Sequence, residues 1–129
     1  MTVTDAGIWI RAIVDEEPGD PVRARLIAET SVAAPALIDL EFTNVLRGLV
    51  AKKSIGRRLA ESALSEFIQA PIRRYGHIAP LNRIWRLAAN LTAYDASYVA
   101  LAELLGADLL TVDKRLATAP GIRCRVDVL

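Results

Sequence analysis

The segment from Thr92 to Leu116 constrains the fold most, because it joins a long apolar run to a short one with an acid at each outer end. Residues 96–105 are almost entirely apolar, which predicts a largely buried helix. After the glycine that stops this helix, residues 108–113 have the pattern of a short strand. The helix starts at Asp95 and the strand ends at Asp113, so two charges are expected at one edge of a core.

The remaining sequence predicts a layered α/β fold. Strands are indicated near residues 2–5, 31–34, 72–78 and 123–128, and helices near residues 6–14, 36–51, 54–70 and 81–91, with a further helix beginning at Asp20-Pro21. Strands that alternate with helices are typical of an α/β/α sandwich with a central, mainly parallel sheet. The length and the absence of a linker or repeat predict one domain over residues 1–129.

Four acids share the property of standing where an element begins, ends or faces inward. Asp5 ends the first strand, Asp113 ends the fourth, and Asp95 starts a helix. Glu41 shares the apolar stripe of its helix with Ile38 and Val45. In parallel sheets, ligand sites form where the strand order reverses, so Asp5 and Asp113 meet there if their strands are neighbours.

A cluster of buried carboxylates needs a compensating partner, because burial and mutual repulsion both disfavour the charged form. The chain has one histidine, His77, and one cysteine, Cys124, which leaves almost no material for a zinc site or a Cys-His catalytic pair. A hard cation such as Mg²⁺ or Mn²⁺ prefers oxygen ligands and can activate water for attack on a phosphate. The sequence therefore predicts metal-dependent chemistry on a phosphodiester.

Net charge, hydrophobicity and cysteine content argue against several other classes of protein. Net charge is only +1, so the chain is no polycation, and nucleic-acid contact would need local clusters of Arg and Lys. No apolar run is long enough to span a membrane, and the N-terminus lacks the pattern of a signal peptide. The single cysteine makes a reduced, cytoplasmic setting the expected location.

Four segments in the same order resemble the PIN-domain nucleases, and among them the VapC-type toxins of bacterial toxin–antitoxin pairs. The matching segments are VTDA at residues 3–6, LEFTNVL at 40–46 after Pro35, YDASYVALAE at 94–103 and LTVDKRL at 110–116. The resemblance covers essentially the whole chain. It implies a Mg²⁺- or Mn²⁺-dependent endoribonuclease with RNA as substrate, a homodimer, and neutralisation by a small VapB-type antitoxin in the active-site groove.

The resemblance also maps the site acids onto Asp5, Glu41, Asp95 and Asp113, with the metal held by Asp5, Asp95 and Asp113. One position departs from the family, which often has Ser or Thr two residues after the first Asp, where this chain has Gly7. Thr4 and Thr111 are the neighbouring hydroxyls available as replacements.

Supporting roles are expected for four further residues, each of which also fits a plain structural role. Asn44 lies one turn after Glu41, Thr111 faces the same way as Asp113, and phosphate contacts are expected from Lys114 and Arg115.

Some structural roles also compete with the functional ones. Asp95 alone fits a helix cap formed with Thr92, and Asp5 and Asp113 alone fit strand-end turns. Trp9 and Trp85 are expected in the core, with base stacking as the alternative.

Two other function classes remain open. A degenerate PIN-like domain acting only as a binding module is one, supported by Gly7. A phosphotransferase with an aspartyl nucleophile is the other, although residues 5–7 lack the second acid of a DxD motif.

Overall fold

The computed structural model describes all 129 residues of the chain. Its strands are β1 (Thr2–Thr4), β2 (Val32–Pro35), β3 (Ile72–Tyr75), β4 (Asp108–Thr111) and β5 (Val126–Val128). Its helices are α1 (Ala6–Ile13), α2 (Pro21–Ala28), α3 (Ile38–Ala51), α4 (Arg57–Gln69), α5 (Leu81–Leu87), α6 (Ala93–Leu105) and α7 (Lys114–Thr118). The predicted alternation of strands and helices is confirmed.

The five strands form one sheet in the order β3-β2-β1-β4-β5, and every pairing is parallel. From β1 the chain adds β2 and then β3 on one side of the sheet, and it then adds β4 and β5 on the other side of β1. Because crossovers between parallel strands are right-handed, α1–α4 cover one face of the sheet, and α5 and α6 cover the other. The architecture is the expected α/β/α sandwich, and the reversal lies between β1 and β4, the two strands that lead to Asp5 and Asp113.

Four helices begin with a side-chain cap, whereas α3, which carries Glu41, has none. Asp5 caps α1, Asp20 caps α2, Thr92 caps α6 and Asp113 caps α7, each by accepting a hydrogen bond from a backbone N–H of the first turn. Gly106 ends α6 in the left-handed conformation, with a φ of 61°, as the sequence predicts.

The core consists of one main cluster of buried apolar residues and a smaller cluster of Ile8, Ala12, Val22 and Leu110. Every residue of β1 and β2 is buried, as expected for a parallel sheet covered on both faces. Phe42 of α3 stacks on Phe67 of α4 with ring centroids 4.0 Å apart. Helix α6 buries residues 96–102 without a break, which confirms the buried helix predicted there. No helix is both long and apolar enough to cross a membrane.

Several sequence-based expectations about faces and boundaries are wrong. Trp85 is 81% exposed on α5, because that helix packs inward through Ile84 and Leu87. Val45 is 40% exposed, whereas Ile38, Phe42 and Leu46 form the buried face of α3. Glu41 therefore lies at the border of that face. The helix expected over residues 54–70 begins at Arg57, and the one expected over 81–91 ends at Leu87.

We expect Gly106→Ala and Gly48→Ala to change stability in opposite directions. A Cβ has free space at both positions, but Gly106 has a positive φ and Gly48 lies within α3. Alanine at position 106 should cost roughly 1–2 kcal/mol, whereas alanine at position 48 should stabilise by about 0.5–1 kcal/mol. Urea denaturation of both variants measures the difference, and equal effects would contradict the assigned role of Gly106.

Candidate active site at the carboxyl edge of the sheet

Asp5 lies where β1 ends and α1 begins. Its Oδ1 accepts a hydrogen bond from the Ile8 backbone N–H at 3.1 Å, and its Oδ2 accepts one from the Thr111 hydroxyl. Thr4 pairs with Leu110 in the β1–β4 register, so Thr111 is one residue further along the neighbouring strand. The parallel pairing of these strands thus places the hydroxyl against the carboxylate. The Thr4 hydroxyl is instead used by Trp9, whose indole N–H donates to it at 2.9 Å.

Asp113 follows β4 and is joined to Asp5 through Thr111. The Asp113 backbone N–H donates to the Thr111 hydroxyl at 3.0 Å, and that hydroxyl donates to Asp5. The Asp113 carboxylate accepts from the Arg115 backbone N–H at 2.9 Å and from its guanidinium at 2.6 Å. This Arg115 contact lowers the pKa of Asp113, so the carboxylate is fully charged at neutral pH.

Glu41 and Asp95 reach the site from α3 and α6. The half-buried Glu41 accepts a hydrogen bond from the Tyr98 hydroxyl of α6. Asp95 lies in the first turn of α6, where its backbone N–H donates to the Thr92 hydroxyl at 3.2 Å. Thr92 is thus the cap, and the Asp95 carboxylate accepts no hydrogen bond within the chain. Asp95 remains free to bind a ligand.

The four acids influence one another electrostatically. Burial and, to a smaller extent, the charges of Glu41 and Asp113 together raise the pKa of Asp5 to about 6, against two hydrogen bonds that lower it. Burial also raises the pKa of Glu41, with a contribution from Asp95. The pKa of Tyr98 is raised by burial and by its bond to Glu41, so it stays a neutral donor. The carboxylates thus carry a charge that the surrounding protein only partly compensates.

Cations are scarce around these acids. Of the four, only Asp113 forms an ion pair, and its partner is Arg115. Asp5, Glu41 and Asp95 have hydroxyl or backbone donors at most, and these satisfy hydrogen bonding without neutralising charge. With the side chains as they stand, no three Asp, Glu, His or Cys residues are grouped closely enough to hold a metal ion.

The supporting residues have different positions. Thr111 is buried and bonded to Asp5, close to the acids as expected. Asn44 is exposed beside Glu41 without a bond to it, and Lys114 is exposed without an ion pair. Arg115, expected to contact phosphate, binds Asp113 instead. The role of Tyr98 was missed, because its partner lies 57 residues away and only a buried hydroxyl on an apolar helix signals it.

Gly7 lies in the first turn of α1, against the strand end that carries the site. A Cβ on Gly7 would lie 2.8 Å from Cγ2 of Val112 and 3.4 Å from Oδ1 of Asp5. Real side chains do not approach this closely, so any residue other than glycine would displace Val112. Val112 occupies the space that a hydroxyl-bearing side chain at position 7 would need.

Comparisons with known proteins agree with the fold. The PIN domain family matches residues 2–122. Ribonuclease VapC9 of Mycobacterium tuberculosis is 36% identical over 129 residues, which cover 100% of this chain and 98% of the relative. The VapBC2 structure from Rickettsia felis, bound to a promoter DNA fragment, has a TM-score of 0.72 at 15% identity and covers 99% and 98% of the two chains. A toxin–antitoxin complex from Klebsiella pneumoniae has a TM-score of 0.66 at 22% identity and covers 99% and 97%.

The contact between Gly7 and Val112 predicts a pairwise dependence. Gly7→Ser alone should destabilise the fold by roughly 1–3 kcal/mol, because the added atoms overpack a stiff β-branched neighbour. Combining Gly7→Ser with Val112→Ala should recover about 1 kcal/mol or more relative to the sum of the single effects. A double-mutant cycle by chemical denaturation measures this coupling. Strict additivity of the two substitutions would show that Val112 is not what excludes a side chain at position 7.

Burial of Asp5 predicts a pH-dependent stability in metal-free buffer. A folded-state pKa of about 6 against the usual 3.8 means that the folded protein binds this proton more tightly. The corresponding stabilisation is complete below pH 3.8 and is lost as pH rises to about 6. The loss is up to about 3 kcal/mol. Asp5→Asn should remove this component, so the difference in unfolding free energy between variant and parent should change across that interval. A constant difference between the two proteins would contradict the buried, raised-pKa carboxyl.

Proposed function

The chain belongs to the PIN-domain family, and from that premise we propose that it is a divalent-metal-dependent endoribonuclease, the toxin of a toxin–antitoxin pair. The observation that carries the proposal is the set of four acids at the strand-order reversal, of which Asp5, Glu41 and Asp95 lack a cationic partner. The full-length similarity to a relative named ribonuclease VapC9 supports RNA as the substrate.

The donor set fits a hard divalent cation. All four side chains are carboxylates, and the raised pKa values of Asp5 and Glu41 show that their charges are insufficiently stabilised by the protein alone. Asp5, Asp95 and Asp113 would hold Mg²⁺ or Mn²⁺, and Glu41 would bind the ion or one of its waters. Such an ion, when bound, supplies an activated water and neutralises charge on the phosphate.

The chain's own residues orient these ligands. The Thr111 hydroxyl holds Asp5, and the Tyr98 hydroxyl holds Glu41, so each carboxylate keeps its negative charge and a fixed direction. The Arg115 guanidinium is hydrogen-bonded to both oxygens of Asp113, and its departure would leave this carboxylate fully available to a metal ion. The side chain of Arg115 is 81% exposed, so it can turn from Asp113 to an incoming phosphate.

A small antitoxin partner and a homodimeric state complete the proposal. The fold similarity to the toxin–antitoxin complex from Klebsiella pneumoniae and the family membership support a VapB-type partner that covers the acidic site. A binding module without catalysis is the second candidate, favoured by Gly7, where the family often has a hydroxyl.

We expect the purified protein to cleave RNA with Mn²⁺ or Mg²⁺ and to lose this activity in EDTA. Asp5→Asn and Asp113→Asn should each lower the rate by at least about 100-fold, because each removes a charged ligand. Gel analysis of a defined single-stranded RNA measures the rates. Full metal-dependent cleavage by either variant would contradict the proposed mechanism. Absence of cleavage by the parent protein would favour the binding module.

The same variants extend the test to cells. Expression of the parent chain alone should arrest growth, and Asp113→Asn should abolish the arrest at equal protein level. Growth arrest that persists with the Asp113→Asn protein would separate the toxicity from nuclease activity. Trp85→Ala is a suitable control, because Trp85 is exposed on α5 and has no contact with the acids.

A further inference from the structure

A groove of about 610 Å³ lies beside the acids, on the exposed side of α3 and against the start of α6. Glu41 lines it, together with Leu40, Asn44 and Arg47 on the exposed side of α3 and with Leu37 directly before that helix. Tyr94, the residue before Asp95, lines it from α6. The groove is therefore lined by one of the four site acids, Glu41, and it borders the helical turn that carries Asp95.

Glu41 and Thr43 are hydrogen-bonded within the chain, whereas the other polar side chains in this groove have no internal partner. Leu40 is 74% exposed and Tyr94 is 65% exposed, so an aliphatic and an aromatic surface face solvent beside a charged site. Arg47 has no carboxylate within ion-pair distance, unlike Arg74 on the neighbouring strand β3, which pairs with Asp39 at 2.9 Å. The Asn44 amide and the Tyr94 hydroxyl make no hydrogen bond within the chain.

This combination matches the chemistry of a single-stranded nucleotide. An exposed aromatic ring offers a stacking surface to a base, an unpaired amide offers a donor and an acceptor to the base edge, and an unpaired guanidinium offers a contact to phosphate. The groove volume is in the range of small-molecule sites. A purely apolar partner would leave Asn44 and Arg47 without hydrogen bonds, which disfavours a hydrophobic helix as occupant.

A second groove lies on the other side of α6 and suggests a path for an RNA strand across the site. It has a volume of about 370 Å³ and is lined by Thr92, Asp95 and Arg115 among others. Tyr94 and Asp95 are consecutive, so the first turn of α6 forms the ridge between the two grooves. An RNA strand that crosses this ridge passes the Asp95 carboxylate.

We propose that the groove formed by Leu40, Asn44, Arg47 and Tyr94 is a nucleotide-binding subsite, in which the base of an unpaired RNA nucleotide next to the cleaved bond stacks on Tyr94. The proposal rests on the proposed ribonuclease function and assigns a recognition element within it. Asn44 contacts the edge of that base, and Arg47 contacts a flanking phosphate.

The test measures RNA binding separately from cleavage. Fluorescence anisotropy with a labelled single-stranded oligoribonucleotide is recorded in EDTA, in an Asp5→Asn background that cannot cleave. Adding Tyr94→Ala should weaken binding about 10-fold, as expected for one lost base stack, whereas Tyr94→Phe should stay within about 2-fold of the parent. Trp85→Ala removes another exposed aromatic ring, one that lies outside both grooves, and this control should bind as the parent does.

An abasic scan locates the contact. A series of oligonucleotides, each lacking one base, should include one position at which the parent loses about 10-fold in affinity and the Tyr94→Ala protein loses almost nothing, because the stack is already gone. Arg47→Ala gives an independent reading: it should reduce the slope of log affinity against log salt by about 0.7, the value for one phosphate contact on a single strand.

The outcomes distinguish the subsite from the function. If the unmodified protein cleaves RNA with Mn²⁺ but Tyr94→Ala and Trp85→Ala bind RNA equally, the subsite is wrong and the nuclease function stands. Normal RNA binding by Tyr94→Ala together with weakened binding of a purified antitoxin would assign the groove to a protein partner and also overturn the subsite. No RNA binding and no cleavage by the parent would overturn both proposals.

Discussion

The parallel pairing of β1 with β4 is the interaction on which the site depends. The sheet order reverses at this pair, so no helix crosses the edge above it, and the residues that follow the two strands remain accessible. The register sets Thr111 beside Asp5, and Thr111 in turn bonds to the backbone of Asp113. A one-residue slip would turn the Thr111 hydroxyl to the opposite face of the sheet and separate it from Asp5.

The chemistry of the site follows from how its acids are satisfied. Thr111 and Tyr98 donate hydrogen bonds to Asp5 and Glu41, which orients the carboxylates without cancelling their charge. Elsewhere in the chain, acids that bridge elements pair with arginine, as Glu103 does with Arg83 at 2.6 Å. Asp5 and Glu41 thus have hydroxyl partners, whereas Asp113 of the same site pairs with Arg115. Burial raises the pKa of Asp5, and a bound cation would offset this effect.

Much of this arrangement is visible in the sequence because it depends on local rules. The spacing of apolar residues, and the residues that end helices and strands, suffice to assign Asp5 and Asp113 to strand ends and Gly106 to the end of a helix. The face of α3 was harder, because Glu41 lies at the border between buried and exposed residues, and the apolar Val45 and Leu40 are exposed. The prediction of Trp85 in the core is wrong because an apolar residue on a helix does not reveal which side of the helix packs against a neighbour.

Contacts between residues distant in the sequence cannot be predicted from local patterns. Such contacts also bring the exposed Leu40 and Tyr94 together. Tyr98 of α6 meets Glu41 of α3 although the two helices cover opposite faces of the sheet, and Tyr94 of α6 lines one groove together with Leu40 of α3. Residues 94–98 therefore serve two surfaces from one helical turn. Tyr98 and Ala96 point inward to the core, whereas Tyr94 and Asp95 face the grooves. Successive residues of a helix point to different faces. The first turns of α6 can therefore pack into the core and also present the Asp95 carboxylate beside the Tyr94 ring. The first turn of α6 thus contributes Asp95 to the acidic site and Tyr94 to the neighbouring groove.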